Sequence, residues 1–235
     1  MRTLCIGDIH GCFQALRTLV TRIPILEHDH LITLGDYVDR GPESRQVLDW
    51  LVERQTGGTL TALLGNHEEL MLDARHSEDA LFRWLDCGGE DTMRSYGLKD
   101  PTPEALQQAV PEEHWRFMTR HCLPWHESAS HIFVHANLHP HLSLPEQSTA
   151  VLRWMKFDRT PPHYSGKIMV CGHTPQPFGY PANFGHAICL DTKAYDPEGW
   201  LTCLDPATGR YWQANQQGKF HSFSFYPVLD DRSTP

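Results

Sequence analysis

"LITLGDYVDRG", residues 31–41, is the stretch on which the reading of this chain turns. An aliphatic and β-branched run with the character of a buried strand stops at Gly35. Asp36, Asp39, Arg40 and Gly41 then follow within six positions. A polar turn with one internal ion pair would use one carboxylate and the guanidinium. The second carboxylate needs another reason.

Working outward, the same layout recurs: an apolar run, then Gly, Asp, Asn or His. It appears in "TLCIGDIHG" (3–11), "TLTALLGNHEE" (59–69), "HIFVHANLH" (131–139) and "KIMVCGHTPQ" (167–176). Between the first three lie "FQALRTLVTRI" and "SRQVLDWLVERQ"; in the latter Val47, Leu48, Leu51 and Val52 fall at helical spacing. Strands alternating with helices predict an α/β, layered core. Residues 76–128 differ: "LFRWLDCGGEDTMRSYG" and "PEALQQAVPEEHWRFMTRHCLPW" predict helices broken at Gly-Gly and Pro, a helical insertion over one side of the core. The last third carries the turn signals Asp196-Pro197-Glu198-Gly199 and Ala207-Thr208-Gly209-Arg210, which predict antiparallel hairpins. Residues 229–235 are expected to fray. No repeat or long linker divides the chain, so residues 1–235 are expected to form one core with one insertion.

The 235 residues suffice for a substantial core, and 40% hydrophobic with 21% charged residues is ordinary for a soluble globular protein. A formal charge of −9 argues against a general nucleic-acid or anionic-membrane binder, which needs a basic face. No apolar run is long enough to span a bilayer, and the first one is too short for a secretory signal, so a cytoplasmic location is expected. Seven scattered cysteines without a CxxC make neither a disulfide framework nor a zinc ribbon. The sixteen histidines are more informative, because imidazole is both a metal ligand and an acid near neutrality.

Collected from the strand ends, the polar residues are Asp8 and His10; Asp36, Asp39 and Arg40; Asn66 and His67; His135; and His173. Strands would deliver them to one sheet edge, where α/β folds gather their site residues. His131 and His186 also lie near strand ends, but no motif selects them.

In order, "GDIHG" (7–11), "GDYVDRG" (35–41), "GNHE" (65–68), "VHA" (134–136) and "CGHTP" (171–175) resemble the signature of calcineurin-like metallophosphoesterases in the form of the phosphoprotein phosphatase branch. The "DRG" ending is most similar to compact bacterial and phage serine/threonine phosphatases. The resemblance implies a central β-sandwich flanked by helices, with two metals at one edge. It implies Asp8 and His10 on the first metal, Asp36 bridging, and Asn66, His135 and His173 on the second. Oxygen and nitrogen donors without thiolate suit manganese, with iron or zinc as alternatives. A hydroxide bridging the ions would attack phosphorus in line, Arg40 would clamp the phosphate, and His67, held by Asp39, would protonate the leaving group.

The pattern departs from the family at one place. Relatives carry a second phosphate-gripping arginine in a W-x-R setting; here "VLRWMKFDR" places Lys156 there, with Arg153 and Arg159 nearby. Lysine offers a point charge rather than a fork. Lys156 is the favoured residue and Arg153 the reserve. Trp84, Arg94 and Tyr96 of the insertion are expected either to wall the substrate cleft or to pack within a helical cap. The implied activity is that of a protein serine/threonine phosphatase, acting on a phosphoprotein or a small phosphorylated substrate. The alternative is a dinucleoside polyphosphate hydrolase, disfavoured by the Asp39-Arg40 form. A nucleic-acid phosphodiesterase is disfavoured by charge. A metal-stabilised binding protein without catalysis would be expected to have lost a ligand or the acid, and none is missing.

Overall fold

Along the central strands the side chains alternate between two apolar environments, the signature of a sheet buried on both faces. In the computed structural model, which describes residues 2–26, 28–158 and 161–225, β1 (Thr3–Ile6) sends Leu4 and Ile6 toward helices and Cys5 toward a second sheet. α1 (Phe13–Arg22), β2 (His30–Thr33), α2 (Ser44–Thr56) and β3 (Leu60–Leu63) continue the alternating order expected from the sequence. α2 buries Val47, Leu48 and Leu51. α3 (Asn66–Asp73) starts directly after the glycine that ends the third apolar run.

The insertion holds α4 (Glu78–Trp84), a π-turn over Leu85–Gly89, α5 (Glu90–Ser95), α6 (Pro103–Ala109) and α7 (Glu112–Arg116). Ser77 and Thr102 cap α4 and α6 by accepting from the third helical N–H. The expectation of a helical segment reaching residue 128 needs correction at its end. β4 (Cys122–Leu123) joins the first sheet beside β3, and β5 (Trp125–Glu127) pairs with β6 (His131–Val134) in the second. Pro124, without an N–H, stands where the chain leaves one ladder for the other.

After α8 (Thr149–Trp154) come β7 (Ile168–Cys171), β8 (Ala182–Asn183), β9 (Ala187–Cys189) and the antiparallel meander of β10 (Leu201–Asp205), β11 (Arg210–Ala214) and β12 (Phe220–Ser224). The sheets run β12-β11-β10-β1-β2-β3-β4 and β5-β6-β7-β9-β8. Cys5, Ile32, Leu63, Phe133, Val170, Ile188 and Leu204 fill the space between them. This is a two-sheet sandwich flanked by helices. β1, β2 and β3 are mutually parallel, as are β6, β7 and β9, so their carboxyl ends bring the five loops to one edge. Arg159 and the tail expected to fray lie outside the described residues. No helix among the described residues is long and apolar enough to cross a membrane.

Candidate active site

Six non-glycine residues among those described have positive φ, and five of them are His10, Asp36, Asp39, Arg40 and His173. Such backbone costs free energy for a side chain with a Cβ and persists only where surroundings impose it. The Asp36 carbonyl accepts from the N–H groups of Ile9 and His10, which fastens the first loop to the second. Glu68, fully buried, accepts from the N–H groups of Asp36, Tyr37, Val38 and Gly65 at 2.7–3.2 Å. Both its oxygens serve only as acceptors, a pattern that suits the carboxylate.

Asp36 is the hub. His10 Nε2 lies 3.5 Å and His67 Nε2 3.9 Å from its Oδ2; His135 Nε2 lies 3.4 Å from its Oδ1. Asn66 Oδ1 is 3.0 Å from His135 Nε2 and 2.9 Å from His173 Nδ1. The outer nitrogens are anchored: His10 Nδ1 to the Val38 carbonyl, His135 Nδ1 to that of Leu34, and His173 Nε2 to that of Trp154. Anchoring one ring nitrogen on a carbonyl leaves the other as a lone-pair donor aimed at the centre, as metal ligation requires. Asp8 Oδ2 accepts from the His173 N–H, while its Oδ1 is buried without a hydrogen-bond partner. Two groups of ligand atoms lie within 4.8 Å of one another, His10 with Asp36 and His67, and Asp36 with His135 and His173. Asp8 belongs to neither group and reaches the site through the His173 N–H; the two carboxylate–imidazole groups that share Asp36 fit divalent cations.

Electrostatics point the same way. Burial pushes Asp36 up, but the imidazoles of His135, His67 and His10 outweigh it and hold its pKa below the carboxylate range. Burial, with Asp191 and Asp36 close by, pushes Asp8 well up. Burial lowers His10 and His135, and burial with His135 nearby lowers His173 to about 4. Neutral imidazole is the form that binds metal. His67 is the exception: burial works against its charge, yet Asp36 and Asp39 raise its pKa. Its Nδ1 is 2.7 Å from Asp39 Oδ2.

Arg40 leans on the ring of Tyr195, 4.7 Å from guanidinium carbon to centroid, with Nη1 2.9 Å from His10 Nε2. Arg153 binds Glu69 at 3.2 Å, partly buried at the end of α8, and its charge helps lower His135. Lys156 is exposed, and its carbonyl accepts from Asn137. The nine strand-end residues therefore converge, and of the two second-cation candidates Arg153 is the one held against α3. Trp84 and Tyr96 pack inside the cap, and Arg94 sits on its surface paired with Glu90 and Asp91. His131 opens β6, away from the strand ends that build the site. Sequence reading gave no role to Glu68, Thr92 or Tyr195. The glutamate lies within "GNHE", but three of the four N–H groups it accepts from are some thirty residues away.

The chain belongs to the calcineurin-like phosphoesterase family, which matches residues 1–196. It is 33% identical over 138 residues to the Salmonella typhimurium (strain LT2) protein named Serine/threonine-protein phosphatase 1, covering 56% of this chain and 57% of that protein. It is 36% identical over 120 residues to the Delftia acidovorans protein named Bis(5'-nucleosyl)-tetraphosphatase, symmetrical, covering 48% and 42%. The chain thus spans about half the length of these curated relatives. The crystal structure of a cold-active protein-tyrosine phosphatase from a psychrophilic Shewanella superposes with a TM-score of 0.62 at 18% identity, over 94% of this chain and 80% of that one, which shows the shared fold.

Proposed function

We propose that this protein is a dinuclear-metal-dependent phosphomonoesterase, a serine/threonine protein phosphatase in class, with manganese as its metal. The observation that carries the reading is the juxtaposition of the buried Asp39–His67 pair and Arg40 with the carboxylate–imidazole cluster around Asp36. Asp8, His10 and Asp36 would hold one ion, and Asp36, Asn66, His135 and His173 the other. Bound there, the two ions supply Lewis-acid charge and lower the pKa of water toward neutrality. Arg40 grips two phosphate oxygens with its fork, aimed by the Tyr195 ring below it and by the Gly88 carbonyl that accepts its N–H. Arg153, held on Glu69, adds positive charge that reaches His135. His67 donates its Nε2 proton to the leaving oxygen while Nδ1–H stays on Asp39.

A second reading, hydrolysis of a dinucleoside polyphosphate, is supported by the name of the Delftia relative and by the half-exposed Trp154 indole. That ring is fixed by its N–H on Glu69 Oε2 at 2.9 Å, next to the carbonyl that anchors His173. The test is kcat/KM on a phosphoserine peptide, an aryl phosphate and diadenosine tetraphosphate, after metal removal and manganese readdition. The expected order places the phosphomonoesters first. Activity that survives exhaustive chelation would sink the dinuclear reading, and a preference for the dinucleotide would move the protein to the second.

A further inference from the structure

The helical insertion reaches the acid of the reaction, not only the rim of a cleft. Asp39 is fully buried, and besides His67 it takes two donors from the insertion. Trp84 Nε1–H forks across both carboxylate oxygens, at 3.0 Å from Oδ1 and 2.9 Å from Oδ2. Thr92 Oγ1–H donates to Oδ1 at 2.7 Å. The same hydroxyl oxygen accepts from the Asp39 N–H at 2.8 Å and lies 2.9 Å from Ser44 Oγ on α2. A threonine inside a helix commonly bonds back to the carbonyl four residues earlier, here Gly88. Instead, the Gly88 carbonyl accepts from the Arg40 N–H at 3.1 Å, and the Thr92 hydroxyl turns to Asp39.

The glycine pair makes this possible. Gly88 has φ +103°, which breaks the helix, and a Cβ on Gly89 would stand 2.6 Å from two ring atoms of Trp84. The spacing of Trp84, Gly88, Gly89 and Thr92 is therefore explained by one task. Trp84 and Thr92 are themselves fully buried, so neither touches substrate.

We infer that Trp84 and Thr92 are positioning residues: they clamp the Asp39 carboxylate so that His67 is aimed at the leaving oxygen, which makes the insertion part of the proton-transfer apparatus. The inference rests on the proposed phosphoester hydrolysis and adds a consequence of its own. A general acid matters in proportion to the basicity of the leaving group. An alkoxide needs the proton; p-nitrophenolate leaves nearly as well without it. Loosening the clamp should therefore act on one substrate and spare the other, whereas a general structural defect would slow both alike.

The experiment compares kcat/KM on a phosphoserine peptide and on p-nitrophenyl phosphate for Thr92→Val, Thr92→Ser and Trp84→Phe in the manganese-loaded protein. Thr92→Val removes the donor at constant shape. It is expected to lose on the order of 10–100-fold on the peptide and less than about 3-fold on the aryl ester, with Thr92→Ser close to wild type. Trp84→Phe should show the same selectivity. Equal losses on both substrates, or none on either, overturn the assignment. A wild-type protein inert toward both would overturn the phosphatase reading itself, and the clamp's role with it. A readout free of turnover is the His67 Nδ1 proton signal. It should shift or broaden in Thr92→Val, and a signal identical to wild type would also overturn the clamp.

Discussion

Gly172 is needed for what it lacks. A Cβ at this position would fall 1.8 Å from Asp8 Oδ1, the oxygen left without a protein partner. Gly172→Ala must push Asp8 or the His173 loop aside, so manganese affinity should drop at least about tenfold, the scale of losses from disturbed ligand support. Titration calorimetry on the metal-free protein reads this directly, and unchanged affinity would contradict the assignment of Asp8 as a ligand. Glu68 gives a second test. An amide at Glu68→Gln would set its NH2 against two of the four N–H donors that the carboxylate now satisfies. The expected loss is about 3 kcal/mol by urea unfolding, as for a buried polar network with one partner broken. A loss within experimental scatter of zero would mean the loops hold their left-handed backbone without it.

Among the elements, the cap is fastened by a chain that runs from the buried Tyr96 and His114 to the exposed Asp49 on α2. His114 Nε2–H donates to Asp49 Oδ1 at 3.0 Å, and its Nδ1 accepts from the Tyr96 hydroxyl at 2.7 Å. This arrangement uses neutral imidazole, and burial lowers the pKa of His114 despite the nearby Asp49. A histidine harder to protonate in the folded than in the unfolded state stabilises the fold above its unfolded pKa of about 6.5. As pH falls below that value the unfolded chain takes up the proton first, and the contribution fades. The stability difference between wild type and His114→Phe should therefore shrink between pH 7.5 and 5.5. A constant difference would show that His114 does not titrate between the two states. The five loops were legible in the sequence because each motif is local, an apolar run and its polar end. The clamp on Asp39 and the His114 chain were not, because they join residues 45–65 positions apart and leave no period or spacing in the sequence. The β4–β5 crossing was hidden for another reason: strands this short carry no alternation to read.

In the molecule as a whole, the site is a seam between two sheets. Asp8, Asp36 and Asn66 follow strands of the seven-stranded sheet, while His135 and His173 follow strands of the five-stranded one. Cations held by both sets would tie the layers together, so metal and fold should stabilise each other. A ligand at a hundred times its Kd adds about 2.7 kcal/mol per site. Tm should rise with manganese and fall on chelation, and less so in His135→Ala, which weakens one side of the seam. A Tm indifferent to both treatments would rule out metal binding at this edge. The order of the strands also bears on how the chain is made. β1 is paired on one side with β2, yet its other neighbour is β10, through Cys5 with Leu204 and Ile6 with Cys203. A nascent chain emerging from the ribosome carries β1 with one edge unfilled until nearly two hundred more residues have been synthesised. Closing a loop of that span is slow, and an open strand edge invites wrong partners meanwhile. The strand bearing the first ligand loop is thus made long before its ladder is completed, and yield in the cell should depend on chaperones that shield that edge during translation.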